Sequence, residues 1–170
     1  IRRRLAALDP GNARWARDVS VSLNKVGDVR VAQGQLGAGL TAYEEGLGIR
    51  RRLAALDPGN ARWARDVSVS LNKVGDVRVA QGQLGAGLTA YEEGLGIRRR
   101  LAALDPGNAR WARDILVSLR KTAQADQANA SEYWSEVVVH MEAMKAKCIL
   151  LLGDQPLLEI ARQNLKTARQ

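Results

Sequence analysis

Residues 9–36 read DPGNARWARDVSVSLNKVGDVRVAQGQL, and residues 57–84 repeat those 28 letters without a change. The identity is wider than this stretch, because residues 1–48 and residues 49–96 are the same 48-residue sequence. A third copy begins at Ile97 and diverges later. Repeats of about 20 to 50 residues are typical of solenoids and arrays. The sequence therefore predicts one structural unit that is used several times.

The first half of the repeat predicts a turn followed by a helix. In Asp9-Pro10-Gly11-Asn12, proline fixes φ and the side chain of Asn12 can cap the free amides of the next turn. From Ala13 to about Gln33 the apolar residues recur at steps of three and four, which indicates one helical face. The residues on or beside this stripe are Trp15, Ala16, Val19, Leu23, Val26, Gly27 and Val29. Gly34 then predicts the left-handed residue that ends the helix.

A second helix is predicted from about Gly37 to Leu56. Its inward side holds Leu40, Ala42, Tyr43, Gly46, Leu47, Ile49, Leu53 and Leu56, and its wet side holds Thr41, Glu44, Glu45, Arg51 and Arg52. Four glycines weaken this helix by about 1 kcal/mol each relative to alanine. At Gly39 and Gly46 a missing side chain permits close approach of the neighbouring helix. Two such helices joined by two or three residues must lie antiparallel.

The repeat decays after Asp114, although the helical pattern continues to about Ala128. A further helix, capped by Ser131, is predicted to run to about Leu152 with Cys148 as a small buried thiol. Asp154-Gln155-Pro156 then starts an amphipathic helix that turns inward Leu157, Leu158, Ala161 and Leu165. Terminal solenoid units are atypical because one face has no neighbour. We therefore predict one helical-repeat domain over 1–170, divided into repeat 1 (1–48, starting in mid-unit), repeat 2 (49–96), a divergent repeat 3 (97–153) and a cap helix (154–170).

The repeat resembles the tetratricopeptide repeat family, and in particular its bacterial versions, at Leu23-x-x-Val26-Gly27, Gly34-x-Leu36, Gly39-Leu40-x-x-Tyr43-x-x-Gly46-Leu47 and Asp57-Pro58. It departs from that pattern in having glycine at 39 and 46, where alanine is expected. Its period is 48 residues instead of the roughly 34 of that family, which adds about two turns to each helix. The resemblance implies an all-α, right-handed solenoid of antiparallel helix pairs that acts as a protein-binding scaffold.

No group of side chains has the spacing of a catalytic or metal site. The chain has one histidine, His140, and one cysteine, Cys148, and neither has a partner at helical spacing that would form a metal site or an activated thiol. The adjacent Glu44 and Glu45 point about 100° apart on a helix, so they cannot share a substrate as an acid–base pair. We therefore predict a non-enzyme that holds no metal and no cofactor.

In tetratricopeptide arrays the first helix of each pair lines a concave groove in which a peptide lies. Carried onto this chain, the resemblance places in the groove Arg14, Arg17, Val21, Asn24, Lys25, Asp28, Arg62, Arg65, Val69, Asn72, Lys73, Asp76, Arg110, Arg113, Val117, Arg120 and Lys121. The groove becomes more basic toward the C-terminus, which favours an acidic or carboxylate-bearing segment held by arginine. The alternative interpretation is a solvated helix face with local pairs such as Arg14 with Asp18.

Two other kinds of partner stay open. The chain has a net charge of +8, and three arginine triplets recur with the repeat, at Arg2–Arg4, Arg50–Arg52 and Arg98–Arg100. Stacked repeats could bring these triplets into a basic ridge that binds nucleic acid in a salt-sensitive way. Against this, Trp15 and Tyr43 lie on apolar stripes and are not interleaved with the arginines, so no base-stacking platform is indicated.

Self-association is the third interpretation. A chain that begins with half a helix pair exposes a face that its identical internal copy buries, and large apolar patches usually mark interfaces. This predicts a homo-oligomer. No apolar run approaches the roughly 20 residues of a membrane span, and no signal-peptide pattern is visible, so the expected location is cytoplasmic and no membrane partner is expected.

Overall fold

The structure is a computed structural model that describes Asp9 and residues 11–169. Within those residues 83% are helical and no strand is present, which confirms the predicted all-α class. Seven α-helices are described, and their bounds are α1 Ala13–Ala32, α2 Leu36–Leu56, α3 Ala61–Ala80, α4 Leu84–Leu104, α5 Ala109–Ala125, α6 Ala130–Ala146 and α7 Gln155–Ala168. A single 3-10 turn at Leu152–Asp154 leads into α7.

The ends of α1 follow the signals in the sequence. The Asn12 side chain accepts a hydrogen bond of 3.1 Å from the backbone N–H of Trp15, so the predicted cap is confirmed. Gly34 has φ +74, as predicted. The N–H of Gly34 donates to the carbonyl of Val31 and the N–H of Gln35 donates to that of Arg30, both at 2.9 Å. This pair of bonds satisfies carbonyls at the helix end.

The chain divides into two compact units, residues 1–90 and residues 91–170, with the boundary inside α4. In the first unit α1 packs on α2, and α2 packs on α3. A Cβ added at Gly39 would lie 2.6 Å from Val31 Cγ2, and one added at Gly46 would lie 3.3 Å from the carbonyl oxygen of Ser20. The later glycine of α2 therefore meets the earlier residue of α1, so the two helices are antiparallel. They approach closely at both glycines, as predicted.

Three residues predicted to face inward are exposed on α1 and α2. Val26 is 50% exposed, Val29 is 56% exposed and Leu56 is 74% exposed, so their predicted inward positions are wrong. Leu56 is the last residue of α2, where no neighbour covers it. The identical residues of the second repeat, Val74 and Val77, are 7% and 2% exposed. The sequence is the same at these positions, so the difference comes from the surroundings of α1 and α3.

The second unit has its core where α5, α6 and α7 pack in succession. The most deeply buried side chains in this core are those of Leu119, Ala123, Val137, Met141, Met144 and Ala161. The last helix begins at Gln155 with proline in its first turn, as predicted. Leu158 and Ala161 are buried and Leu157 and Leu165 are partly buried against this core, which confirms the predicted inward side of α7.

Three predictions for the divergent repeat are wrong. Helix α5 ends at Ala125 and not near Ala128, and Asn129, not Ser131, holds the position that precedes α6. Helix α6 ends at Ala146, so Cys148 is not a buried helical thiol; it is exposed, with φ +55. The N–H of Cys148 donates to the carbonyl of Lys145, so Cys148 occupies the left-handed turn position that Gly34 occupies after α1.

Among the described residues, no helix combines the length and the hydropathy that crossing a bilayer requires.

Candidate functional site

In the first unit, two ion pairs join α1 to α3. Arg17 donates to both carboxylate oxygens of Asp66, at 2.6 and 3.3 Å, and Lys73 Nζ lies 2.5 Å from Asp28 Oδ1. The paired residues are 49 and 45 positions apart, close to the 48-residue period. Helices α1 and α3 therefore run in the same direction, displaced by about one repeat. Three predicted groove residues, Arg17, Asp28 and Lys73, lie on this shared surface.

Asp28 is the centre of a small polar cluster. Tyr43 Oη donates a hydrogen bond of 2.7 Å to Asp28 Oδ1, and Lys73 Nζ lies 5.3 Å from the centroid of the Tyr43 ring. Partial burial alone would raise the pKa of the Asp28 carboxyl. The hydrogen bonds from Lys73 and Tyr43 and the charges of Lys73 and Lys25 outweigh burial, so this pKa lies below its ordinary value. Burial and the Asp28 carboxylate together raise the pKa of Tyr43.

The other predicted groove residues of the first unit differ in exposure. Arg14, Lys25 and Arg62 are exposed, whereas Val21, Arg65, Val69 and Asp76 are half-buried. Asn24 and Asn72 are buried, at 7% and 4% exposure, so their side chains have little surface to offer a ligand in this conformation. The surface that a partner of the first unit could contact is therefore mainly arginine, lysine and valine side chains.

The predicted groove residues of the second unit lie on α5. Arg110, Arg113 and Val117 are exposed, and Arg120 and Lys121 are half-buried. Arg113 Nη2 lies 2.9 Å from Asp154 Oδ1, and the Asp154 side chain is 3% exposed. The 3-10 turn that leads into α7 is thus tied to α5 by an ion pair whose carboxylate is buried. Sequence reasoning missed this pair because Arg113 and Asp154 are 41 residues apart.

The middle of the repeat contains a buried arginine that sequence reasoning placed on an outer ridge. Arg50 is 5% exposed. Its guanidinium donates to Ser20 Oγ at 3.2 Å, to the carbonyl of Asp66 at 3.0 Å and to Ser70 Oγ at 2.7 Å. Burial lowers the pKa of Arg50 and the charge of Asp66 opposes that shift. Arg50 therefore ties α2 to both α1 and α3.

The corresponding residue of the second unit is placed in the same way. Arg98 is 4% exposed and donates to the carbonyl of Asp114 at 2.8 Å and to Ser118 Oγ at 2.6 Å. The predicted ridge of three arginines is wrong for these two triplets, because the first arginine of each is buried. Arg2–Arg4 lie outside the described residues. A signal for the buried arginine was present, since Arg50 lies three residues from both Leu47 and Leu53 on the apolar stripe.

The structure does not bring the candidate metal-binding or catalytic side chains together. His140 Nε2 lies 2.9 Å from the carbonyl oxygen of Ala112, and Glu136, one helical turn before His140, pairs with Arg99. Across the described part of the chain, no three His, Cys, Asp or Glu side chains are grouped closely enough to hold a metal ion.

The chain was compared with known proteins by sequence. No model of a protein family matches it, and no curated protein sequence matches it. The likeness to tetratricopeptide repeats at Val26-Gly27, Tyr43 and Asp57-Pro58 therefore stays a prediction from the sequence. What can be said of function follows from the contacts and the charges described above.

Proposed function

We propose that this chain is a cytoplasmic, non-catalytic scaffold that binds a segment of a partner protein. In this proposal its helix pairs form a right-handed solenoid of the tetratricopeptide type, with residues 154–170 as the terminal cap. The consecutive packing of neighbouring helices in each unit supports it. Each repeat of a solenoid contacts only the neighbouring repeats, which leaves extended surfaces for partners.

The binding surface that we propose in the first unit is the shared face of α1 and α3. The observation that carries it is the pair of ion bridges, Arg17 with Asp66 and Asp28 with Lys73, that join these helices one repeat apart. Because the helices are parallel, equivalent side chains recur along the surface at each repeat. Arg14 and Arg62 form such an equivalent and exposed pair. Two repeated guanidinium groups suit a segment with spaced carboxylates, since arginine binds carboxylate through two parallel hydrogen bonds.

A titration with acidic peptides tests this surface. We expect Arg14→Glu and Arg62→Glu each to weaken binding by about tenfold or more, because a charge-assisted hydrogen bond contributes about 1.5 to 3 kcal/mol. The matched control is Arg52→Glu, which makes the same charge change at an exposed site on α2. Equal losses in all three variants would indicate unspecific attraction, and an absence of binding to any acidic peptide would reject the surface.

Self-association is a second candidate, and the exposure of Val26 and Val29 favours it. Sedimentation equilibrium should then give a mass above 18.5 kDa that rises with concentration. A monomer over a wide concentration range would contradict it. We do not extend the proposal to nucleic acid, because Arg50 and Arg98 are buried and so unavailable to a phosphate backbone.

A further inference from the structure

We propose that one face of α1 is a docking site for a helix with the sequence of α2, the second helix of a further copy of the repeat. This stacking face consists of Val26, Val29 and Arg30, which share one side of α1 at helical spacing. The inference deepens the self-association proposal, on whose exposed face it rests, by naming the segment that the face recognises. It is independent of the acidic-peptide surface on α1 and α3.

The second repeat shows what the same face does when it is covered. On α3 the equivalent residues are Val74, Val77 and Arg78, in an identical sequence. Val74 and Val77 are 7% and 2% exposed, against 50% and 56% for Val26 and Val29. The face is therefore built to be buried, and in α1 it is open.

Two contacts identify α2 as the element that lies over this face of α3. Arg50 donates to Ser70 Oγ at 2.7 Å, one turn before Val74, and Arg78 Nη2 lies 2.6 Å from Glu44 Oε1 at the far end of the face. Leu47 lies midway between Glu44 and Arg50 on α2 and is 6% exposed. The chemistry that fits the face is thus a leucine with a carboxylate one turn before it.

The arginine of the stacking face makes the same local hydrogen bond in α1 as in α3. Arg30 donates to the side chain of Gln35 at 2.6 Å, and Arg78 donates to the equivalent Gln83 at 2.5 Å in addition to its bridge with Glu44. The arginine side chain is therefore held by the glutamine in both repeats, and the bridge to Glu44 is an additional contact that only Arg78 makes. A helix carrying glutamate at that place would meet a prepared guanidinium in Arg30, beside the apolar surface of Val26 and Val29.

The test uses a labelled peptide with the sequence of residues 36–56, titrated with the full chain and followed by fluorescence anisotropy. We expect saturable binding that Val29→Asp weakens by about tenfold or more, since a buried unpaired carboxylate is strongly unfavourable. The matched control is Val139→Asp, the same change at another exposed valine, 65% exposed on α6, and it should leave binding within about twofold. Circular dichroism verifies that both variants keep their helices.

Exchanging the charges of Glu44 and Arg30 tests whether the peptide lies on α1 in the orientation that α2 has on α3. A peptide with Glu44→Lys should bind the natural chain about threefold more weakly, as expected for a partly exposed ion pair, and should regain its affinity for a chain with Arg30→Glu. Binding that ignores Val29→Asp, or a charge exchange without recovery, would overturn the assignment of α2 as the occupant.

Sedimentation of the chain without peptide separates this inference from self-association. A monomer that binds the peptide supports the docking site while rejecting self-association. A dimer that Val29→Asp dissociates, together with no peptide binding, would mean that two stacking faces meet each other, and would overturn the inference. The titration with acidic peptides should be unchanged by Val29→Asp in every case.

Discussion

The first and second repeats have the same 48 letters and differ in one part of their structure. Within a helix pair they agree: a Cβ added at Gly39 would lie 2.6 Å from Val31 Cγ2, and one added at Gly87 would lie 2.5 Å from Val79 Cγ2. Between helix pairs they differ, as Val29 at 56% and Val77 at 2% exposure show. Local sequence therefore fixes the pair, whereas burial of its outer face depends on the neighbour.

The largest expected effect tests this difference directly. We expect Val77→Asp to lower the free energy of unfolding by about 3 to 5 kcal/mol, because it leaves a buried carboxylate without a partner. The same change at the identical position of the first repeat, Val29→Asp, should stay within about 0.5 kcal/mol. Urea unfolding of both variants, at concentrations where the chain is monomeric, measures the two values. Similar losses would mean that the stacking face of α1 is covered.

The contact between repeats also depends on Arg50, which links Ser20 of the first repeat to Ser70 of the second. We expect Arg50→Ala to lower the free energy of unfolding by about 2 to 4 kcal/mol, because buried acceptors lose their donor and a cavity remains. Arg52→Ala, at an exposed position two residues away, is the control and should be nearly neutral. Thermal unfolding compares them, and equal melting temperatures would show that Arg50 is not needed to join the helices.

Glycine substitutions test whether the interior of the pair is the same in both repeats. We expect Gly39→Ala and Gly87→Ala to destabilise the chain equally, by about 1 to 3 kcal/mol, since the added methyl overlaps a valine side chain. Gly48→Ala should instead stabilise it by about 0.5 to 1 kcal/mol, because the nearest atom to an added Cβ is the mobile end of Arg52 at 3.8 Å. Urea unfolding gives all three values, and unequal losses at 39 and 87 would contradict the identity of the two interiors.

The smallest expected effect concerns the ion pair of Asp28 with Lys73. We expect Asp28→Asn to cost at most about 1 kcal/mol at neutral pH, because the pair is partly exposed. The pKa of Asp28 is lowered in the folded chain, so its stabilisation is complete above the unfolded pKa of about 3.9 and is lost as the pH falls through the folded value.

Unfolding curves from about pH 7 to about pH 3 measure this dependence. The difference between the natural chain and Asp28→Asn should shrink toward the acid end. The control is the double variant Asp28→Asn with Lys73→Met, which should lose little more than Asp28→Asn alone. A difference that grows as the pH falls would contradict the lowered pKa.

Much of the candidate surface could be predicted from the sequence, but the ion pairs between its residues could not. The predicted groove set includes Arg17, Asp28 and Lys73, which the structure brings together between α1 and α3. Helical spacing in the sequence suggests a local pair of Arg14 with Asp18, but it does not indicate the bridge of Arg17 with Asp66. Helical spacing identifies partners three or four residues away, and contacts across about one repeat depend on how two helices lie against each other.

The sequence by itself determined the all-helical class and the ends of α1, because periodicity, the cap at Asn12 and the left-handed turn at Gly34 act over a few residues. Only the tertiary structure decided that Arg50 is buried and that Val29 is exposed while Val77 is not. The physical reason is that burial depends on which surfaces meet. Two identical stretches present the same apolar face, and the hydrophobic effect stabilises that face only where a neighbouring helix removes it from water.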